Sequence, residues 1–158
     1  MANFLRRAKR AVGAGDWPAH RAAGTVVLDY NKRHRRRIRL ACRDGTPVLL
    51  DLEKAIVLRD GDGLAVEDGS WIAVQAASED LAEITCSNAQ DLQRVAWHLG
   101  NRHCPAAIEP GRILIRRDHV IEKMIKGLGA SIRKVREPFD PEGGAYNQHN
   151  VGEVNVHD

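Results

Sequence analysis

The chain has few aromatic residues, few cysteines and no long apolar run. Phe, Trp and Tyr make up only 4% of it, so the core is expected to be aliphatic. Cys42, Cys86 and Cys104 lie far apart and form no CxxC motif. This pattern argues against a disulfide framework or a cysteine-based zinc site, and it fits a reducing cytosol. No apolar run approaches the ~20 residues of a membrane span, and the basic N-terminus lacks the apolar stretch of a signal peptide. A cytoplasmic location is expected.

The remaining composition is typical of a folded soluble protein. With 158 residues, 43% hydrophobic and 28% charged, the chain has room for one ordinary domain or two small ones. A net charge of +3 is a weak indication of a nucleic-acid partner, and the distribution of charge matters more than its sum. No Walker A loop, GxGxxG loop or nucleophile constellation can be identified from residue order, which favours a binding protein over an enzyme.

Residues 1–76 are predicted to form an all-β domain of a kind that binds peptides or proteins. Short β-branched and apolar runs alternate here with turn signals, as in small sandwiches and barrels. The predicted strands lie at 25–30, 48–52, 64–66 and 71–74, separated by Asp-Gly and Gly-Asp-Gly turns.

A basic run over residues 32–43 is predicted to be a further strand. Ile38, Leu40 and Cys42 alternate with Arg37 and Arg39, and a period of two gives one apolar and one basic face. The segment from Arg33 to Arg43 therefore has three interpretations. It is a solvated strand face, a nucleic-acid-binding strand without accompanying aromatic residues, or a docking surface for an acidic protein.

Residues 77–140 show the order β-α-β-β-α-β of the ferredoxin-like fold. Asn88 is a suitable N-cap for the first helix and Asp118 for the second. Each helix has apolar residues at i, i+3, i+4 and i+7: Leu92, Val95, Ala96 and Leu99 in the first; Ile121, Met124, Ile125 and Leu128 in the second. The predicted fold class is α+β, with an N-terminal all-β domain, a ferredoxin-like domain and a flexible C-terminal tail.

The connector after the first of these helices carries the most informative histidine. Gly100 fits the left-handed position that closes many helices, and Pro105 biases Cys104 toward extended backbone. His103 is therefore predicted to be displayed on a stiff, extended connector at an edge of the domain. In an extended chain Cys104 points away from His103, so it is predicted to pack.

Three further histidines are candidate metal ligands. His119 lies in the first turn of the second predicted helix. His149 and His157 belong to residues 141–158, a Gly-rich and polar segment that is predicted to be a mobile tail.

Several segments resemble, in order and spacing, those of the urease accessory nickel metallochaperone family. Gly100-Asn101-Arg102-His103 with Pro105 resembles the central motif of the family, and Asp118-His119-Val120 with residues 127–130 resembles its second-helix motif. Residues 138–146 resemble the segment before the tail. The Arg-rich strand and the Gly-Asp-Gly and Glu-Asp-Gly turns follow the same order, so the resemblance covers most of the chain.

The resemblance implies a peptide-binding-like β domain and a ferredoxin-like domain that binds metal and forms a homodimer. It implies that His103 of each copy meets the other at the two-fold axis as the principal Ni(II) ligand, and that His119 matches a secondary metal position. Arg117 stands where some members carry a companion His, and the tail has no dense His tract. The implied role is nickel delivery to apo-urease, together with accessory proteins that include a GTPase.

The ligand chemistry leaves the metal and the reaction open. Imidazole suits Ni(II), although the affinity order alone favours Cu(II), and Zn(II) is a further ion for the same site. One His cannot fill a coordination sphere, whereas two copies about a two-fold axis supply two. An alternative is a hydrolase with a metal-bound water at His103 and His119 and Glu122 as the nearby carboxylate. Another is an RNA-binding module that uses the basic strand.

Overall fold

A computed structural model describes residues 5–143. The chain forms two compact units, one of residues up to Ala76 and one of Ala77–Glu142. The predicted tail therefore lies outside the described residues, apart from its first three. Of these, Pro141 is buried and the Glu142 N–H donates to the Ala106 carbonyl oxygen at 2.8 Å, so both residues pack on the second unit.

The first unit is a curled six-stranded sheet. Its strands are β1 (Arg6–Val12), β2 (Ala22–Leu28), β3 (Arg37–Ala41), β4 (Pro47–Asp51), β5 (Gly63–Val66) and β6 (Trp71–Ala76), in the spatial order β2-β6-β5-β1-β4-β3. The pairs β1–β4 and β2–β6 are parallel and the others antiparallel. The Arg43 N–H donates to the Thr25 carbonyl oxygen at 2.9 Å, so the two outer strands approach each other. The all-β prediction is confirmed.

An aliphatic core fills this sheet, as the low aromatic content predicts. Val26, Leu50, Leu58, Leu64 and Ile72 are among its fully buried members.

Two tryptophans of this unit lie beside a glycine-rich turn. Trp17 stacks on Trp71 with ring centroids 5.6 Å apart, and its indole N–H donates to the Gly61 carbonyl oxygen at 3.0 Å. A Cβ atom at Gly63 would overlap the Trp17 ring, so only glycine fits there.

The structure corrects the interpretation of the basic segment. Residues 32–43 are not one strand, because a helical turn, α1 (Tyr30–Arg33), precedes β3. The Asp29 carboxylate caps α1 by accepting from the Lys32 N–H at 2.8 Å. Arg33 is completely buried and donates to the carbonyl oxygens of Leu28 and Leu58 at 3.2 and 3.0 Å. One arginine of the basic run is thus buried and supports the fold.

The second unit has the predicted β-α-β-β-α-β order. It comprises β7 (Ser78–Thr85), α2 (Ala89–Asn101), β8 (Ala107–Glu109), β9 (Arg112–Arg116), α3 (His119–Gly127) and β10 (Ser131–Pro138). The sheet order is β10-β7-β9-β8, and every pair is antiparallel. This is the ferredoxin-like arrangement. No helix of residues 5–143 has the length and apolarity needed to cross a membrane.

The two long helices bury their predicted faces with one exception. Val95 and Leu99 of α2 and Ile125 of α3 pack with Ala82, Ile84, Ile113 and Ile115 of the sheet. Leu128, predicted as core, is 42% exposed because it follows the end of α3 at Gly127.

Candidate metal centre

The C-terminal end of α2 sets the backbone conformation of His103. The Cys104 N–H donates to the Leu99 carbonyl oxygen, and the His103 N–H donates to the Gly100 carbonyl oxygen, both at 3.0 Å. This pair of bonds is the Schellman motif, in which the first residue past the cap adopts the left-handed conformation. That residue is His103, with φ of 55°.

The prediction of Gly100 as the left-handed residue is therefore wrong. Gly100 lies inside α2, which continues to Asn101 and is capped by Arg102. His103 is the only residue other than glycine with positive φ in the described part of the chain. Its backbone is left-handed and not extended, which changes how the imidazole is presented.

The second long helix ends with the same pair of hydrogen bonds. The Ala130 N–H donates to the Ile125 carbonyl oxygen at 3.4 Å, and the Gly129 N–H donates to the Lys126 carbonyl oxygen at 3.0 Å. The left-handed position is occupied here by Gly129, with φ of 90°. Glycine is the usual residue at this position because it has no Cβ atom.

The surroundings of His103 leave its imidazole at the surface and its neighbour as a packing residue. His103 is exposed, whereas Cys104 is half-buried against the core of the second unit. Burial raises the pKa of the Cys104 thiol, with a further increase from Asp118. A protonated thiol is a poor metal ligand. The predicted packing role of Cys104 thus rests on burial, since the argument from extended backbone does not apply.

A groove of about 390 Å³ lies beside this connector. It is lined by Arg102, Cys104, Pro105, Arg116, Arg117, Asp118 and Ile121.

His119 is the first residue of α3 and is exposed. The helix start is fixed by Asp118, whose carboxylate accepts from the N–H groups of Val120 and Ile121 at 2.9 and 3.1 Å. The prediction of Asp118 as N-cap is confirmed. The His119 side chain itself is free to turn toward solvent.

Glu122, the carboxylate of the hydrolase alternative, is engaged with neighbouring groups. Its oxygens accept from Arg117 Nε and Nη2 at 3.1 and 2.8 Å and from the Asp118 N–H at 2.9 Å. Burial alone would raise the pKa of Glu122, but these hydrogen bonds outweigh burial and the pKa lies below its ordinary value. A carboxylate held in this way is unsuited to act as a general base.

Sequence reasoning missed this ion pair, although the spacing from Arg117 to Glu122 across an N-cap is a usable signal. Arg117, at the position of the companion His in some family members, acts here as the partner of Glu122.

The predicted metal ligands do not form a closed site within the described part of one chain. Among residues 5–143, no group of three or more His, Cys, Asp or Glu side chains could hold a metal ion. His103 and His119 lie at the end of α2 and the start of α3, and His149 and His157 lie outside the described residues. The described residues therefore offer no closed site with three or more such ligands.

Two family models match the chain and together span both units. The N-terminal domain of the UreE urease accessory protein matches residues 5–77, and the C-terminal domain of the same family matches residues 79–158.

Curated relatives agree with these models. A urease accessory protein UreE of Rhodopseudomonas palustris (strain BisB18) is 52% identical over 140 residues, which cover 89% of this chain and 66% of the relative. The protein of that name from Beijerinckia indica is 49% identical over 142 residues, covering 90% of this chain and 82% of the relative. The protein of that name from Rhodobacter capsulatus is 44% identical over 160 residues, which cover 98% of this chain and 99% of the relative. The chain thus aligns with just under two thirds of the Rhodopseudomonas relative and with nearly all of the Rhodobacter one. It belongs to the UreE urease accessory protein family.

Proposed function

We propose that this chain is a nickel-binding chaperone that takes part in urease maturation and delivers Ni(II) to the urease active site. The observation that carries the proposal is the left-handed conformation of His103, because glycine would fit that position with less strain. An exposed imidazole held by a strained helix cap is suited to meet a metal ion that arrives from solvent. Membership of the UreE family supports the maturation role.

The ligand set of the proposed site requires more than one described chain. His103 supplies one imidazole, and a second copy about a two-fold axis supplies another without any additional residue. His149 and His157 are proposed as further ligands, and His119 as a secondary one. Cys104 is left out because it packs against the core of the second unit, and Glu122 because Arg117 already binds it.

Such a site fits a carrier better than a storage protein or an enzyme. A few imidazoles and water bind Ni(II) with intermediate strength, and an exposed site allows the ion to leave. The ligands would also accept Zn(II), and Cu(II) more tightly, so selectivity depends on geometry and metal supply. The expected recipients and partners are apo-urease and the other accessory proteins, including a GTPase.

Calorimetric titration with Ni(II) tests the proposal when the mass of the protein is measured with and without metal. We expect about one ion per dimer in the principal site. His103→Ala should remove this binding, while His34→Ala, an exposed histidine of the first unit, should leave it unchanged. Undiminished nickel binding by His103→Ala would exclude His103 as the principal ligand.

Removal of residues 147–158 tests the contribution of the tail. We expect weaker binding or a changed stoichiometry, because His149 and His157 are lost together. Binding identical to that of the full chain would exclude both as ligands.

A further inference from the structure

The basic character of the chain is confined to the first unit. Residues 5–76 carry fourteen Lys and Arg against nine Asp and Glu, whereas residues 77–142 carry ten of each. The proposed metal ligands account for none of this excess. A basic surface that the nickel site does not use therefore requires its own explanation.

The excess is concentrated on the outer face of strands β3, β4 and β1. In the sheet register Leu49 pairs with Arg39 on one side and with Arg7 on the other, and Asp51 pairs with Arg37. Residues paired across strands lie on the same face. The opposite face of these strands carries Ala8, Ile38 and Leu50, which face the core.

We name this outer surface the basic face. It consists of Arg7, Arg36, Arg37, Arg39, Leu49 and Asp51. It has a half-buried leucine on the central strand with arginines on both sides.

One carboxylate on the basic face is shared by three guanidinium groups. Asp51 lies 3.7 Å from Arg7 Nε, 3.8 Å from Arg36 Nη1 and 3.6 Å from Arg37 Nη1. All three distances exceed those of a good charge-assisted hydrogen bond, which lie near 2.8 Å. Asp51 therefore attracts the three arginines without saturating their donors, and Arg36 Nη1 also donates to the Leu52 carbonyl oxygen at 3.1 Å. Arg39 adds a further positive charge and makes no ion pair with a described residue.

We infer that the basic face binds an acidic segment of a partner protein. The segment would carry carboxylates on both sides of one apolar side chain. That side chain would lie over Leu49, and the carboxylates would accept bidentate hydrogen bonds from Arg7 on one side and Arg37 and Arg39 on the other. Because these arginines are half-exposed, the interaction would increase the rate of encounter and be sensitive to salt.

The composition of the face favours a protein over a nucleic acid. Surfaces that bind single-stranded nucleic acid combine cations with aromatic rings that stack on bases. None of the six residues of the basic face is aromatic. Asp51 at its centre would also repel a phosphate backbone while it organises the arginines.

Fluorescence anisotropy on the metal-free full chain tests this inference. The probe is a labelled synthetic peptide with the repeating sequence Glu-Glu-Leu-Glu-Glu, compared with its Gln-Gln-Leu-Gln-Gln counterpart and with single-stranded poly(U) RNA. We expect binding of the acidic peptide only, weakened several-fold between about 50 and about 300 mM salt.

Two double variants with the same change in net charge localise the binding. Arg37→Glu with Arg39→Glu should lower the affinity for the acidic peptide by about tenfold or more. Arg94→Glu with Lys123→Glu, at exposed positions of α2 and α3, should change it by less than about twofold. Arg37→Gln with Arg39→Gln provides a milder pair if charge reversal disturbs the sheet.

Several outcomes would overturn the inference. Equal affinity for the Glu and Gln peptides would do so, as would equal losses in the two double variants. Tighter binding of poly(U), lost in the Arg37 and Arg39 variants, would identify a nucleic-acid surface instead. The experiment contains no metal, and His103→Ala should bind the acidic peptide as the wild type does. A failure of this inference is therefore distinguishable from a failure of the nickel proposal.

Discussion

Helices α2 and α3 end in the same way but with different residues at the left-handed position. Both close with the two hydrogen bonds of the Schellman motif, and Gly129 occupies the left-handed position after α3 at no steric cost. His103 occupies it after α2, where a side chain costs about 1 kcal/mol. The hydrogen bonds alone do not explain a histidine, because glycine would form them equally well. The difference supports the proposal that the His103 side chain is used for metal binding and not for the fold.

Exchanging His103 for glycine should have the largest effect. His103→Gly is expected to weaken nickel binding by more than about 100-fold, because loss of a residue that merely supports a metal ligand already costs about 10- to 100-fold. The same variant should be more stable by about 1 kcal/mol, since the strain at this position is removed. Nickel titration and thermal unfolding of one preparation measure both effects.

A matched exchange that retains nickel binding provides the control. Gly100→Ala lies inside α2 with no atom within 4 Å of the added Cβ, so it should also stabilise the helix but leave nickel binding intact. A His103→Gly protein that is less stable than the wild type would contradict the assignment of strain.

Placing a side chain at the other helix end should have a smaller, purely structural effect. Gly129→Ala is expected to lower the free energy of unfolding by about 1 kcal/mol, because Gly129 has φ of 90° and alanine is strained there. The melting temperature should fall by about 4 °C. Nickel binding should persist at temperatures where the protein is folded. Unchanged stability would mean that the two helix ends are not equivalent.

Replacing His103 by alanine should change stability less than either glycine exchange. Both His and Ala have a Cβ atom and meet the same left-handed strain, so the difference is expected to stay below about 0.5 kcal/mol. Comparison of the Ala and Gly variants then isolates the backbone contribution, since both lack the imidazole. If the two variants melted at the same temperature, the backbone of position 103 would not be strained in solution.

The starts of the two helices differ as well, and this should appear as a small dependence on pH. Asn88 caps α2 with an uncharged amide, whereas Glu122 reinforces the start of α3 through Arg117 and the Asp118 N–H. The pKa of Glu122 is lowered in the folded protein, so its contribution is present above the ordinary value and is lost as the pH falls through the folded pKa.

Glu122→Gln should therefore be less stable than the wild type at neutral pH and should lose less stability on acidification below about pH 4. Unfolding followed in parallel at several pH values measures this. Parallel curves for the two proteins would contradict the role of the Arg117 pair.

Much of the second unit could be predicted from sequence because its signals are local. The apolar spacing of α2 and α3, their N-caps Asn88 and Asp118 and the two-residue turn before Arg112 are all readable from neighbouring residues. The end of α2 could not be predicted in this way, because glycine is the usual residue at the left-handed position and histidine is not. The backbone angle of His103 and its two flanking hydrogen bonds, visible only in the structure, show which residue is left-handed.

The first unit was harder to predict because its pairings are distant in sequence. Strand β1 has only Ala8 fully buried, and its basic composition hides a strand that pairs with β4 and β5 more than forty residues away. The sequence pattern predicts a strand face for Arg33, yet its hydrogen bonds to carbonyl oxygens of two separate segments place it in the core. The Asp29 cap of α1 was a local signal that could have separated Arg33 from β3.

The left-handed histidine also affects how this protein can be altered by mutation and selection. Asn tolerates the left-handed conformation better than most residues, and its codons differ from those of His by a single base. A single-base change at position 103 can therefore both relieve strain and remove the imidazole. A screen that selects for thermal stability alone would enrich Asn or Gly at position 103. The resulting protein would be more stable but would lack its principal proposed metal ligand. Directed evolution of this chain should accordingly hold codon 103 fixed or select for nickel-dependent urease activity alongside stability.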